Sequence, residues 1–327
     1  MFVREKVIKA ILDSGENFMS GEQLSKKLGI SRTAVWKHIN ALREEGYNIE
    51  SVNKKGYRLA EKPDDILSSE NIAYNLPTEF IGKKVIHLDT VGSTNDYAKE
   101  IGNKVSGGTL IISEQQTKGK GRLGRVWKSK SGDGIWMSLI IKPKIEPYKA
   151  PFLTLVAGAS VVKALSNLDV EASIKWPNDI IVHNKKICGI LTELSAEMER
   201  VNYVVIGIGI NIKTIDFPDE IKEKATSLYK EGYKLSRVDI VRQFCIEFEK
   251  LYKGYILDGN KQDTLELCRK YSAIIGRQVY VIKNNKRELV KCIDINENGN
   301  LIVKEKNGEI QEIMSGEVSI RGVKGYV

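Results

Sequence analysis

The chain lacks an unbroken apolar run of the ~18 residues that a membrane-spanning helix needs. Its opening residues, MFVREKVIKAILDSGE, interleave charge with apolar side chains and hold no apolar core of a secretory signal. These absences lead to the expectation of a cytoplasmic protein with no membrane partner. Cysteine is scarce. Cys188, Cys245, Cys268 and Cys292 lie far apart and form no C-x-x-C pair, so they read as isolated buried thiols rather than disulfides or zinc ligands. Acidic residues fall short of basic ones, and the net charge of +9 favours a polyanionic partner such as nucleic acid, although many basic enzymes bind none. What is present is ordinary: 327 residues, 42% of them hydrophobic, enough for two domains or for three if one is small.

The first sixty or so residues carry helix signals. Val3, Val7, Ile8 and Ile11 make one apolar helical stripe. Ser20 opens a second helix, and Gln23 three residues later completes a capping-box pattern. That helix carries Leu24 and Leu28 and stops at Gly29. Ser31 caps a third helix with Val35, Ile39 and Leu42 inward. Two short helices joined by a tight glycine turn are a helix-turn-helix signature. Arg32, Thr33, Trp36, Lys37 and Asn40 then sit near the start of the third helix, the region that reads base edges in a major groove. Gly21, at the start of the second helix, is counted with them. Trp36 is open to either reading, core or reader. Beyond Gly46, strand-like pieces at Tyr47–Val52 and Tyr57–Leu59 flank a turn with Lys54 and Lys55, a basic wing able to touch phosphates. The alternative is a small helical domain that binds protein or nothing. Polar residues broken by Pro63 suggest a linker over 61–65.

From about Ile66 the pattern is not a regular βαβ repeat. Strands are predicted at Val85–Leu88, Thr109–Ser113, Ile135–Ile141, Ile174–Trp176, Ile180–Val182, Ile187–Leu194 and Tyr203–Asn211. Helices are predicted from Ser93 or Thr94 through Ile101 and over Pro151–Leu165. Consecutive strands with short turns imply antiparallel pairing, hence an α+β domain with a mixed sheet.

Five stretches carry chemistry. Gln115 to Arg125 is a basic glycine-rich loop. Gly119, Gly121 and Gly124 satisfy G-x-G-x-x-G, but no helix follows and no acidic residue stands at the expected distance, so a dinucleotide fold is rejected. Glycines instead let the backbone close over a ligand while Lys120, Arg122 and Arg125 meet carboxylate or phosphate charge. In isolation it could equally be a basic surface loop. In Lys175-Trp176-Pro177-Asn178-Asp179, the proline holds Trp176 extended and sets Asn178 and Asp179 at a strand end. A carboxylate there can orient a lysine, coordinate Mg²⁺ or contact ribose. Lys185 to Leu191 is a basic turn entering a strand. Gly92-Ser93-Thr94-Asn95 groups small donors and acceptors at a helix start, where a bare cap would also suffice. Gly207 and Gly209 share a strand face and leave room for a flat ligand or close packing.

These motifs, in this order and behind a winged helix, resemble the biotin–protein ligase family in the bifunctional form that doubles as biotin-operon repressor. The resemblance covers essentially the whole chain. It implies an N-terminal winged helix-turn-helix over 1–62, a mixed-sheet catalytic domain of class II synthetase-like type over 66–272, and an SH3-like barrel over 274–327, with strands at Gln278–Ile282, Glu288–Ile293, Leu301–Lys304 and Ile310–Met314. It further implies that biotin's carboxylate attacks the α-phosphate of ATP, and that a lysine of biotin carboxyl carrier protein then takes the biotinyl group from biotinyl-5′-AMP. Ser93, Thr94, Asn95 and Gln116 would bond the ureido ring. Lys120, Gly121 and Arg122 would line the carboxylate and phosphate side. Lys186 would meet the reacting carboxylate, while Asn178, Asp179 and Asn211 would lie near the nucleotide. Arg122, Lys186 and Asp179 are the catalytic candidates, Asp179 for orienting or deprotonating the incoming lysine. Mg²⁺ is expected, no metal ligand is assigned, and a homodimer on operator DNA is expected when the adenylate is bound. Some relatives carry a tryptophan over the adenine where this chain has Ala225, which supplies no stacking. A lipoate-type ligase shares the catalytic fold but lacks the winged helix. A ligand-sensing repressor without catalysis is the other alternative.

Overall fold

The computed structural model describes residues 3–60, 65–283, 286–315, 319–323 and 325–327. It divides into two compact units, Met1–Leu76 and Pro77–Val327.

The first unit begins with three helices, α1 (Val3–Asp13), α2 (Gly21–Leu28) and α3 (Arg32–Glu44). Their boundaries follow local chemistry. Both arms of the capping box at Ser20 and Gln23 form, Gly29 ends α2 in the left-handed region at φ 68°, and Ser31 accepts from the Ala34 N–H. Val7, Ile8, Ile11, Leu24, Val35, Ile39 and Leu42 are buried together, whereas Val3 at the head of the stripe is 37% exposed. Truncating Ile39 to alanine there would cost roughly 2–5 kcal/mol. Strands β1 (Ile49–Val52) and β2 (Gly56–Leu59) pair antiparallel as the wing. Met19 and Tyr57 exchange backbone bonds at 2.9 Å and add a third edge. Gly56 has φ 113°, and a Cβ there would lie 2.3 Å from the Met19 carbonyl, so only glycine fits. Of the expected linker over 61–65, residues 61–64, and with them the expected boundary at Lys62, lie outside the described residues. The residues after it belong to this unit: α4 (Ser69–Ala73) follows, Tyr47 donates to Ser68 at 2.8 Å, and Tyr74 donates to the Leu12 carbonyl at 2.9 Å.

The second unit is built on β3 (Val85–Val91), α5 (Thr94–Ile101), β4 (Thr109–Gln116), β5 (Gly134–Ile141), α6 (Phe152–Ser166), β6 (Ser173–Lys175), β7 (Asp179–Val182), β8 (Lys185–Ala196) and β9 (Val201–Asn211). Its sheet has the order β3-β4-β5-β9-β8-β7-β6, with only β3 and β4 parallel, the mixed sheet of an α+β fold. Helix α6 is buried almost all round, from Phe152 to Leu165. Contrary to the expectation of no spanning-length apolar stretch, Pro147–Ser166 is long and apolar enough by composition, with mean hydropathy 1.2; 72% of it is buried inside the unit, so the core accounts for its apolarity.

The sequence expectations contain no helix between Asn211 and the final strands. Helices α7 (Arg237–Ile256) and α8 (Gln262–Lys270) fill that segment. Val241, Phe244, Cys245, Phe248, Leu251, Tyr252 and Tyr255 recur at helical spacing along α7 and are buried, a periodic signal present in the sequence. The chain continues into β10 (Gln278–Lys283), β11 (Lys286–Ile295), β12 (Leu301–Lys304), β13 (Ile310–Ile313) and β14 (Ser319–Gly322), an antiparallel sheet ordered β13-β12-β11-β10-β14. This sheet is bound into the same compact unit. The Trp176 indole N–H donates to the Gly299 carbonyl at 3.0 Å, and Arg269 binds Asp294 at 2.7 Å. All four cysteines are fully buried thiols.

Candidate active site and DNA-facing helix

Ser93 caps α5, so the residues that follow it start a helix with their polar atoms converging under the sheet. The Thr94 N–H donates to Gln116 Oε1 at 2.8 Å, and Gln116 Nε2 donates to Ser129 Oγ at 2.9 Å. Ser138 Oγ lies 2.8 Å from Thr94 Oγ1 and 2.6 Å from Asn95 Oδ1. Ser93, Thr94, Asn95 and Ser138 are all buried, so a small polar cluster is held in a low-dielectric interior with its bonds made.

This cluster borders a cavity of about 40 Å³ that also touches Gly189, Gly207 and Gly209. The glycines are there for space. A Cβ on Gly207 would lie 2.2 Å from Asn95 Oδ1, and one on Gly209 would lie 2.6 Å from the indole nitrogen of Trp127. Trp127, which sequence reasoning did not single out, lies over Gly189 and Gly209, and Lys186 Nζ stands 5.1 Å from its ring centroid. Its buried N–H has no hydrogen-bond partner. A larger cavity of about 660 Å³, within the range of small-molecule sites, opens beside the first. Arg122, Trp127, Asn178 and Lys186 line both.

The glycine-rich loop runs as an irregular hairpin between Gln116 and Ser129. Lys120 turns to Asp96, at 2.6 Å, so its ammonium meets a carboxylate of the chain. Gly121 donates its N–H to the Arg125 carbonyl at 2.7 Å. Arg122 Nη1 donates to Asn178 Oδ1 at 2.8 Å and Nη2 to the Ser315 carbonyl at 2.6 Å. Burial works against its charge, and Asp179 across the site supports it. Asn178 also donates to the Ile190 carbonyl at 2.9 Å, and Asn211 to the Thr226 carbonyl at 3.1 Å.

Asp179 opens β7, where one carboxylate oxygen is 2.5 Å from Lys186 Nζ and the other accepts from the Tyr326 hydroxyl. The first contact is an ion pair with both side chains largely buried. Burial pushes the Asp179 carboxyl up, but Lys186, the Tyr326 hydroxyl and Lys175 outweigh it and hold it below the ordinary carboxylate value. Tyr326 is pushed well above a normal phenol by burial and by Asp179. Lys175 donates to the Tyr326 carbonyl at 2.6 Å, and burial lowers its pKa to about 7. Tyr326 is a second residue that sequence reasoning missed. Ala225 lies alongside Lys186, whose backbone pairs with Lys224 and Thr226, and it lines the larger cavity with Trp127 and Phe217. Among the described residues no three His, Cys, Asp or Glu side chains converge as a metal site.

In the first unit, Arg32, Thr33 and Lys37 are exposed along one face of α3, and Trp36 is 53% exposed, which resolves it as a surface residue. Asn40 is half-buried and accepts from Arg43 at 3.3 Å. Gly21 is half-buried at the start of α2, near Tyr57, and Lys54 and Lys55 are exposed at the wing turn.

Comparison with known proteins agrees with this arrangement. Residues 3–58 match an HTH domain, 88–211 the Biotin/lipoate A/B protein ligase family, and 274–321 the Biotin protein ligase C terminal domain. The chain is 42% identical over 323 residues to a bifunctional ligase/repressor BirA of Bacillus subtilis, covering 97% of this chain and 98% of that protein. It is 32% identical over 317 residues to the bifunctional ligase/repressor BirA of Escherichia coli, covering 96% of each. The structure of a biotin protein ligase from Aquifex aeolicus in complex with biotin and ATP superposes with a TM-score of 0.64 at 32% identity, covering 73% of this chain and 99% of that one. With its helix-turn-helix, mixed-sheet ligase core and C-terminal sheet in one order along nearly the full length of such relatives, the chain belongs to the biotin protein ligase family, in its bifunctional ligase/repressor form.

Proposed function

We propose that the two adjoining cavities hold biotin and ATP, and that their shared wall is where the two react. The observation that carries this reading is that wall: Arg122, Trp127, Asn178 and Lys186 face both spaces. The small cavity offers a polar end built from Ser93, Thr94, Asn95 and Gln116, which suits a ureido ring; the dithiolane of lipoate has no N–H or carbonyl to meet the remaining donor and acceptor capacity there. At 40 Å³ it holds little more than water, so biotin enters by displacing the Trp127 indole from Gly189 and Gly209. The unpartnered indole N–H is in keeping with that exchange. Biotin's carboxylate then reaches Lys186, which leaves Asp179 to offset the charge of carboxylate and α-phosphate as they approach. Pyrophosphate leaves, and the mixed anhydride waits behind Arg122 and the Lys120–Gly121 segment.

Asp179 then orients the carrier lysine, whose amine attacks the anhydride and expels AMP. Asp179 is held ionised, so it acts more as an electrostatic guide than as a strong base. Asn178 and Asn211 border the nucleotide, and the rings of Trp127 and Phe217 supply the stacking surface that Ala225 lacks. Mg²⁺ bound with ATP would neutralise phosphate charge as pyrophosphate departs.

The first unit reads operator DNA with Arg32, Thr33, Trp36, Lys37 and Asn40 in the groove, Gly21 allowing close approach, and Lys54 and Lys55 on phosphate. A homodimer promoted by biotinyl-5′-AMP would present two such units to a palindrome, and carrier protein would compete for the ligase. Both partners fit a cytoplasmic setting. The test is ATP–pyrophosphate exchange with biotin or lipoate. Exchange dependent on biotin alone supports the reading, lipoate-dependent exchange points to the lipoate-type ligase, and none with either leaves a repressor without catalysis.

A further inference from the structure

Asn95 makes both of its amide hydrogens unavailable to a ligand. Nδ2 donates to Glu193 Oε2 at 2.7 Å and to the Leu191 carbonyl at 3.3 Å. Both partners are acceptors only at these atoms, so the nitrogen must face them. Oδ1 is thereby turned the other way, against the Cα of Gly207 and at the cavity wall, where the Ser138 hydroxyl approaches within 2.6 Å. A carbonyl oxygen has two lone pairs, and Ser138 engages one. The second is left for a donor at the cavity wall. Glu193 is in turn held by Lys99, whose ammonium bonds Oε1 at 2.7 Å, leaving Oε2 for Asn95. Glu193 itself does not line the cavity.

We propose that Glu193 is a positioning residue that fixes the Asn95 amide with its oxygen toward the cavity, so that the pocket selects a ligand offering an N–H donor at that point. The inference rests on the biotin reading of the cavity and adds a reason for its selectivity. An amide is nearly symmetric in shape, and without an acceptor-only neighbour at 2.7 Å it can rotate by half a turn and present donors instead. A flipped Asn95 would set its N–H against the N–H of a urea.

The experiment uses the full chain and four proteins: wild type, Glu193→Gln, Asn95→Ala and the double variant. Biotin affinity is read by calorimetry, and KM and kcat by pyrophosphate exchange. Glutamine keeps the shape but offers either a donor or an acceptor, so E193Q should raise Kd and KM for biotin about tenfold, with kcat within about twofold. Because Glu193 acts only through Asn95, E193Q should add nothing in the N95A background. A biotin methylated on the ureido nitrogens should bind wild type less well than biotin, and E193Q should narrow that gap. If glutamine strands Lys99 and loosens the fold, the paired Glu193→Leu, Lys99→Leu variant removes both charges and should give the same loss of biotin affinity. Multiplying effects of E193Q and N95A, or unchanged biotin affinity in E193Q, would overturn the inference while leaving biotin as the ligand. Wild type that bound no biotin would remove the underlying reading as well.

Discussion

Replacing Arg122 by glycine should turn a contained activated intermediate into a released one. The Arg122 guanidinium ties the glycine-rich loop to Asn178 in the wall of the larger cavity, at 2.8 Å, and to the Ser315 carbonyl, at 2.6 Å. A hydrogen bond from a charged donor contributes about 1.5–3 kcal/mol, and two sharing one side chain do not add in full. Taking about 3 kcal/mol for the pair, the loop would open roughly two powers of ten more often. Glycine also adds backbone freedom of about 0.5–1 kcal/mol, so Arg122→Ala should show a somewhat smaller effect of the same kind. A mixed anhydride that escapes will acylate any lysine it meets before water destroys it. The assay is single-turnover formation of biotinyl-5′-AMP followed by filtration, with bystander protein present. The expected result is free adenylate and biotin on bystander lysines, with both signals near background for wild type. If Arg122→Gly retained its adenylate and kept its selectivity for the carrier, the tie would not be what closes the site.

Three further outcomes follow from the geometry. Lys186→Ala should slow single-turnover adenylation by at least ~10²-fold and slow transfer from supplied adenylate much less, because the fixed cation matters most when carboxylate meets triphosphate; equal losses in both steps would reassign it. Deleting residues 1–76 should abolish operator binding in a gel-shift assay and leave ligase activity, whereas deleting 1–62 should give a poorly behaved protein, since Ile66 and Tyr74 lose the first-unit core they pack against and Tyr74 loses its bond to the Leu12 carbonyl. Lys175 has its folded pKa lowered to about 7, so between about pH 7 and its ordinary 10.5 the unfolded chain holds a proton that the native chain does not. Native stability therefore rises with pH across that window, and Lys175→Met should flatten the rise in chemical denaturation.

Much of this was legible in the sequence because it is local. The caps at Ser20, Ser31 and Ser93 act within four residues, and the wing is one short hairpin. The motif residues of the site also stood out, because each motif is a short string. What could not be read was pairing across distance. Tyr326 reaches Asp179 over 147 residues, and Glu193 reaches Asn95 over 98. Neither residue type is unusual where it stands, and only the tertiary fold makes neighbours of them: it brings α5 with Asn95 to β8 with Glu193, and Tyr326, beyond β14, to Asp179 at the start of β7. Trp127 was hidden differently: it follows a basic loop, and nothing local tells that its ring will rest on Gly189 and Gly209. Lys120 lines the small cavity as well, and its pairing with Asp96, 24 residues away, is again a contact the motif string does not disclose.

The four buried thiols have a practical corollary. Cys245, Cys268 and Cys292 are pushed up to about 12 by burial, and Cys188 is raised as well, so none is a reactive thiolate in the native protein. They sit on α7, α8, β11 and β8, while residues 1–76 contain none. Modification by a thiol reagent thus clocks the opening of the ligase unit, element by element, and is blind to the DNA-facing one. A cysteine introduced on the exposed side of α1, as Lys9→Cys, would be the fast-reacting thiol of the folded chain, a handle for a single dye on the helix-turn-helix without removing any natural cysteine.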